Sequence, residues 1–289
     1  MSLTNRLNNK FIMDIFPSVS NGTPNASTFY QYFNRQIKMT NRIDKIARQQ
    51  LTDYKNNSPG TIFRDKSFSI NIDEAYAVQD ALVKLRLKEG TAVIGYKVGC
   101  TGPGITKLFG IDGPIRGTLF DKEVHESGVK LNAKHFCNLA VEAEMAIQIG
   151  VDGQITSVFP VIELHNFVFR APKKSLPELI ANNGLNKGIV LSQLNWWTFP
   201  EAYKTTSVLS LEINGSIIDT GDLWPMEGGP VSSLQWLEAH LVEHDLKTSL
   251  GDIILGGTAL GIHTVKTGDR VDVKVDGKIA VQCFIGMNN

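Results

Sequence analysis

What this chain has little of narrows its chemistry before any motif is read. Cysteine is scarce: Cys100, Cys137 and Cys283 are odd in number, far apart and in no metal-ligand spacing. That argues against a disulfide-stapled scaffold or a zinc finger and fits free thiols in a reducing compartment. Net charge is absent, because 29 Lys and Arg balance 29 Asp and Glu. A neutral surface gives no electrostatic pull toward nucleic acid or an anionic membrane. It also leaves self-association unopposed, so a homo-oligomer is expected. No run approaches the ~18 uninterrupted apolar residues of a membrane span. Near the N-terminus Asp14 splits Phe11-Ile12-Met13 from Ile15-Phe16 and no cleavage site follows, so a cytoplasmic protein is expected. The six histidines form no short-spaced set. His240 and His244 are four apart, but Glu243 is at the wrong spacing for a metalloprotease helix.

What is present reads as an α+β protein. Residues 1–38 are rich in Asn, Ser and Thr and read as a poorly ordered extension, with at most a short helix near Phe29–Phe33. Residues 39–90 read as a helical cap. Ile43, Ile46, Ala47 and Leu51 share one face before Asn56-Asn57-Ser58-Pro59-Gly60, and a second helix runs from about Ile72 to its stop at Gly90. From residue 91 to 289 the period changes to two. The pairs Asp152-Gly153, Asn214-Gly215 and Asp276-Gly277 each suit a two-residue type I′ hairpin between alternating apolar runs. A single strong helix, Ser232 to about Asp245, interrupts this mixed β-roll, with Ser232 or Ser233 as its cap.

The chemistry sits on the strands. In Val141-Glu142-Ala143-Glu144-Met145-Ala146-Ile147-Gln148-Ile149 the odd positions are apolar and Glu142 and Glu144 share the other face. Side chains two apart on a strand are only ~6.6 Å apart along the chain. Two such charges repel unless a cation stands between them, although the strand taken alone reads more readily as a solvated acidic face. Glu163, in the apolar run Val158-Phe159-Pro160-Val161-Ile162-Glu163-Leu164-His165, needs a partner if buried, and His165 shares its face. Lys97 stands between glycines in Gly95-Tyr96-Lys97-Val98-Gly99, where it suits gripping a carboxylate or, with a lowered pKa, transferring a proton. Gly117-Thr118-Leu119-Phe120-Asp121 brings a further acid to a strand end.

These four segments, with Gly251-Asp252-Ile253-Ile254-Leu255 after them, occur in an order that resembles the 2-keto-4-pentenoate hydratase / 2-oxohept-3-ene-1,7-dioate hydratase / 4-oxalocrotonate decarboxylase family of the fumarylacetoacetate hydrolase superfamily. The resemblance runs from about residue 39 to the C-terminus. It implies a mixed β-roll of the fumarylacetoacetate hydrolase C-terminal type, with Mg²⁺ or Mn²⁺ held by Glu142, Glu144 and Glu163. It implies Lys97 and Asp121 as catalytic residues and a small 2-oxo acid as substrate. It places Asn183, Asn186, Gly257 and Thr258 on the substrate.

The implied reaction is hydration of a 2-hydroxy-2,4-dienoate to a 4-hydroxy-2-oxo acid. Decarboxylation of the 4-oxalocrotonate type, acylpyruvate hydrolysis and a non-catalytic ligand-binding role are the alternatives. The chain also departs from the family pattern. Leu139-Ala140 stands where relatives often carry Pro-Arg, and Asn182 and Asn186 replace an expected acid and serine.

Overall fold

The computed structural model describes residues 26–102, 109–110, 113–192, 197–198 and 206–286. The chain divides into two compact units, residues 1–45 and 46–289. In the first, the described residues are helical, the beginning of α1 (Ala26–Lys55). The helix runs unbroken across residue 38, so residues 26–38 are helical rather than irregular. The rest of the expected extension, 1–25, lies outside the described residues.

The second unit carries the end of α1, then α2 (Ile72–Lys88), α3 (Leu176–Ala181) and α4 (Pro230–Glu243). Its strands are β1 (Val93–Gly99), β2 (Ile115–Phe120), β3 (Val124–Glu126), β4 (Val129–Asn132), β5 (Leu139–Ile149), β6 (Ile155–Asn166) and β7 (Asn186–Leu191). They continue with β8 (Trp197–Thr198), β9 (Val208–Ile213), β10 (Ser216–Asp222), β11 (Ile253–Leu255), β12 (His263–Thr264), β13 (Arg270–Val275) and β14 (Lys278–Gly286). They form a nine-stranded sheet, β2-β1-β11-β5-β6-β7-β3 with β12 on β5 and β8 on β6, and a five-stranded sheet, β10-β9-β13-β14-β4. Both sheets are mixed: β1–β11, β3–β7 and β4–β14 are parallel among otherwise antiparallel pairs.

The period of two on β5 divides the large sheet into a core face and a site face. Val141, Ala143, Met145, Ile147 and Ile149 pack with Leu209, Leu211, Val271, Val273, Val281 and Ile285 of the small sheet and with Leu234, Leu237 and Leu241 of α4. The alternate residues Glu142 and Glu144 are therefore displayed on the opposite face.

All three pairs have both residues at positive φ, but two of them form the expected two-residue hairpin turn, Asn214-Gly215 between β9 and β10 and Asp276-Gly277 between β13 and β14. At Asp152-Gly153 the loop is wider. A 3₁₀ turn, Val151–Gly153, is closed by Gly150 donating to the Gln154 carbonyl, and the register slips at Ile149.

Helix α2 begins with a reciprocal capping box between Asn71 and Glu74. Its Gln79 amide donates to the carbonyls of Arg116 and Ile180, tying it to β2 and α3. Helix α4 starts earlier than the serine cap predicts. Pro230 opens it after Gly229, since proline lacks the N–H that a first helical residue leaves unused. The Ser233 hydroxyl instead donates to the Gly256 carbonyl at 2.7 Å, inside the core.

Gly95 owes its place to strand packing. It has φ +142°, and a Cβ there would sit 1.9 Å from the Ile253 carbonyl oxygen of the neighbouring parallel strand. Replacing Gly95 by Ala forces β1 off β11 and is expected to cost about 3 kcal/mol, read as a fall in the urea midpoint of unfolding.

Candidate active site

Glu142 on β5 and Glu163 on β6 are directly opposed partners in the antiparallel ladder. Cross-strand partners stand ~4.5–5.5 Å apart at Cβ, so the register alone brings these two acids together. Glu144 and His165, each two residues along, extend the cluster on the same face. Glu144, Glu163 and His165 are all buried, and Glu142 is partly so.

Lys97 arrives from β1. The intervening strand β11 ends at Leu255, level with Lys97, and is followed by the loop whose residues 257–262 line the cavity. The Lys97 Nζ donates to Glu163 Oε1 at 2.8 Å and to the Gly184 carbonyl at 3.3 Å. The Asn186 amide donates to the same Glu163 oxygen at 2.7 Å. His165 Nε2 lies 3.3 Å from Glu142 Oε2 and 3.4 Å from Glu163 Oε2.

Three acids crowd around the Lys97 ammonium, and the proton affinities of Glu144 and Glu163 separate accordingly. Burial and the charges of Glu163 and Glu142 push the Glu144 carboxyl well above the usual carboxylate range. Burial also opposes ionisation of Glu163, but His165, Lys97 and the hydrogen bonds from Lys97 and Asn186 outweigh it and hold this carboxyl below its ordinary value. For Lys97 burial favours the neutral amine, yet the three carboxylates prevail and its pKa is pushed up to about 12. Lys97 is therefore an ammonium here, not the lowered-pKa amine that its glycine neighbours suggest.

Those glycines make room for its stem. A Cβ at Gly117 would lie 2.7 Å from Lys97 Cγ, one at Gly184 would lie 3.0 Å from Cε, and one at Gly99 3.1 Å from Cε.

The other expected residues divide into those at the cavity and those behind it. Gly257 and Thr258 line it. The Thr258 hydroxyl is engaged, donating to the Ala143 carbonyl at 2.7 Å and accepting from the Leu260 N–H at 3.0 Å. Asn183 does not line this cavity. Its amide clamps the backbone of Thr118, accepting from N–H at 2.7 Å and donating to C=O at 2.8 Å, which fixes the turn that carries the Gly184 carbonyl. Asn182 accepts from Gln50 at 2.7 Å and, with Asn183, borders a separate cavity of about 30 Å³. Asp121 is not brought to the site. It is exposed, opens a 3₁₀ turn after β2, and accepts from the Ala92 N–H at 2.8 Å.

The cavity above the acids measures about 290 Å³ and is also lined by Cys100, Thr101, Phe109, Phe167, Phe169 and Lys174. Phe169 stands 6.3 Å from each of the other two rings, and the Lys174 ammonium is 5.2 Å from the centroids of Phe167 and Phe169. Phe167 and Phe169 continue the alternation set by Glu163 and His165, which is the signal in the sequence that marks them as lining residues. The residues present fit a divalent cation. Glu144 Oε2 and both ring nitrogens of His165 are buried without a hydrogen-bond partner among the described residues, and Glu142, Glu163 and His165 each offer a donor atom within 4.8 Å of the others.

No protein-family model matches the chain. It is 25% identical over 263 residues to 2-keto-4-pentenoate hydratase 1 of Dechloromonas aromatica strain RCB, covering 84% of this chain and 96% of that protein. It is 25% identical over 232 residues to the 2-oxo-hept-4-ene-1,7-dioate hydratase of Escherichia coli, covering 74% and 86%. In structure it matches 4-oxalocrotonate decarboxylase of Pseudomonas putida G7, complexed with magnesium and adipate, with a TM-score of 0.77 and 20% identity over 85% of this chain and 97% of that one.

The fold, mixed α/β with two sheets, is thus that of the 4-oxalocrotonate decarboxylase structure. In sequence, its curated homologues include proteins named 2-keto-4-pentenoate hydratase, 2-oxo-hept-4-ene-1,7-dioate hydratase and 4-oxalocrotonate decarboxylase.

The ion pair makes a testable demand. With chelator present, Lys97→Met leaves Glu163 buried without its ammonium and is expected to lower unfolding free energy by about 3 kcal/mol. The double variant Lys97→Met/Glu163→Gln should recover more than half of that loss in the same urea titration.

Proposed function

We propose that the chain is a divalent-metal-dependent lyase that hydrates a 2-hydroxy-2,4-dienoate, the enol of a 2-oxo-4-enoate, to a 4-hydroxy-2-oxo acid. One observation carries the reading. An acidic cluster with orphaned donor atoms and a charged lysine forms the floor of a cavity of about 290 Å³, in a chain homologous to hydratases of such acids. Glu142, Glu144 and Glu163 would hold Mg²⁺ or Mn²⁺, and the similar decarboxylase structure holds magnesium and adipate. A bound cation of this kind polarises a 2-oxo group as a Lewis acid and neutralises the crowded carboxylates.

The chain's own groups then divide the work. Lys97, held by Glu163 and the Gly184 carbonyl, keeps a proton at Nζ facing the cavity and offers a positive charge to an enolate oxygen. Gly257 and Thr258 shape the wall beside it. The rings of Phe109, Phe167 and Phe169 give the cavity an apolar lining that suits an unsaturated carbon chain. Asp121 is assigned no proton transfer, because it is exposed and bonded to Ala92. Asn183 and Asn186 act through Thr118 and Glu163 and not by touching substrate. Decarboxylation is the second reading, favoured by the TM-score of 0.77 to the decarboxylase and by its need for the same stabilised enolate. We also take residues 39–90 as a helical cap on a β-roll of the superfamily's C-terminal type, in a cytoplasmic homo-oligomer.

The test follows the dienol absorbance of 2-hydroxypenta-2,4-dienoate and a longer dicarboxylate analogue with Mg²⁺ and then EDTA. Metal-dependent loss of absorbance with a product heavier by one water establishes the hydratase, and loss of CO₂ makes it the decarboxylase. No turnover of either substrate by a metal-loaded protein would overturn both. Lys97→Met is expected to lower turnover by more than about 100-fold while metal binding persists. Asp121→Asn should leave turnover within about threefold, since general acid–base groups contribute ~100-fold or more and this one is outside the cavity.

A further inference from the structure

The cluster contains one group that the carboxylate reading leaves unused. The His165 imidazole is 1% exposed, yet neither ring nitrogen has a hydrogen-bond partner among the described residues. Buried polar atoms are ordinarily satisfied, so an orphaned imidazole needs a reason. The two carboxylates beside it do not supply one as hydrogen-bond partners, although both lie close to Nε2.

The distances point elsewhere. Two donor atoms that bind one ion at ~2.1 Å each, at angles between octahedral and tetrahedral, lie ~3.0–3.4 Å apart. His165 Nε2 stands 3.3 Å from Glu142 Oε2 and 3.4 Å from Glu163 Oε2. Glu142, Glu163 and His165 each bring a donor atom within 4.8 Å of the others, and Glu144 is not part of that triad.

We propose that His165 is a nitrogen ligand of this centre beside Glu142 and Glu163, and that it makes the site select Mn²⁺ or a later divalent transition metal over Mg²⁺. The proposal rests on the metal-dependent reading above and refines it. Magnesium prefers an all-oxygen shell, whereas imidazole suits manganese and the metals after it in the affinity series. A β-strand supplies the arrangement simply, since Glu163 and His165 are two apart on β6 and Glu142 faces Glu163 across the ladder.

The test uses the full chain, stripped with chelator and titrated calorimetrically with Mn²⁺ and, by competition, with Mg²⁺. Pulsed electron paramagnetic resonance of the Mn²⁺-loaded protein then reports any directly bonded ¹⁴N. The wild-type chain should bind Mn²⁺ at least about 10-fold more tightly than Mg²⁺ and show ¹⁴N coupling. His165→Gln should lose the coupling and most of the preference while still binding Mg²⁺. Mn²⁺ binding without ¹⁴N coupling in the wild-type chain overturns the proposal and leaves the metal-dependent lyase standing. Absence of binding by either ion overturns both readings. The wild-type spectrum decides the ligand even if the variant does not fold.

Discussion

Three carboxylates on one buried sheet face form the constraint around which the site is arranged. Taking a carboxylate out of water costs several kcal/mol unless charge or hydrogen bonds replace the hydration shell, and like charges add to that cost. Lys97 supplies one positive charge, Asn186 a hydrogen bond to the oxygen that Lys97 also holds, and His165 an imidazole between Glu142 and Glu163. The lysine must cross from β1 to β6 to do this, and its stem needs space. Gly99, Gly117 and Gly184 leave that space, and a Cβ at any of them would fall within 3.1 Å of the lysine side chain. Asn183 in turn fixes the Gly184 turn by binding both backbone groups of Thr118. Residues that look like substrate contacts in a linear motif are thus largely supports for one ion pair.

The same face cannot be both core and site, and β5 resolves this with its period of two. Its odd residues enter the core shared with the five-stranded sheet and α4. Its even residues, Glu142 and Glu144, meet the cavity. A slip of one residue in the β5–β6 register would place the acids among Leu209, Val271 and Val281, so burial of the core face also enforces the alignment of Glu142 with Glu163. Stability and site geometry are coupled here through a single ladder.

Much of this was legible in the sequence because it depends on short-range periodicity. The alternation from Val141 to Ile149 gave both the core face and the paired acids, and the lone Glu163 in an apolar run announced a buried charge in need of a partner. Asn-Gly and Asp-Gly marked two true type I′ hairpins. What could not be read depends on contacts between distant segments. The glycines around Lys97 serve β11 and the lysine stem, and neither neighbour is visible from local sequence. Asp121 looks like a catalytic acid at a strand end, but β1 and β2 pair so that Lys97 faces Gly117, four residues short of it. The asparagines at 183 and 186 have the donors of substrate-binding residues, and only the fold shows those donors already spent on Thr118 and Glu163.

The cavity adds a further restriction on what the cluster can do. Its floor is ionic, but Phe109, Phe167 and Phe169 line it with hydrocarbon, and among the described residues the cation beside those rings is Lys174, which is exposed. A ligand that meets both environments needs an anionic, oxygen-rich end for the floor and an apolar or conjugated stretch for the rings. Among the described residues a terminal carboxylate at the far end would meet the solvated Lys174, an interaction worth little because water competes for both partners. In the proposed reaction, chain length and unsaturation would be discriminated by the aromatic wall, and the acid–keto end by Lys97 and the carboxylates. Hydration and decarboxylation share that acid–keto end and the enolate it stabilises, so the chemistry that separates them must be set along the apolar wall, where a water molecule either reaches the β-carbon or is kept from it.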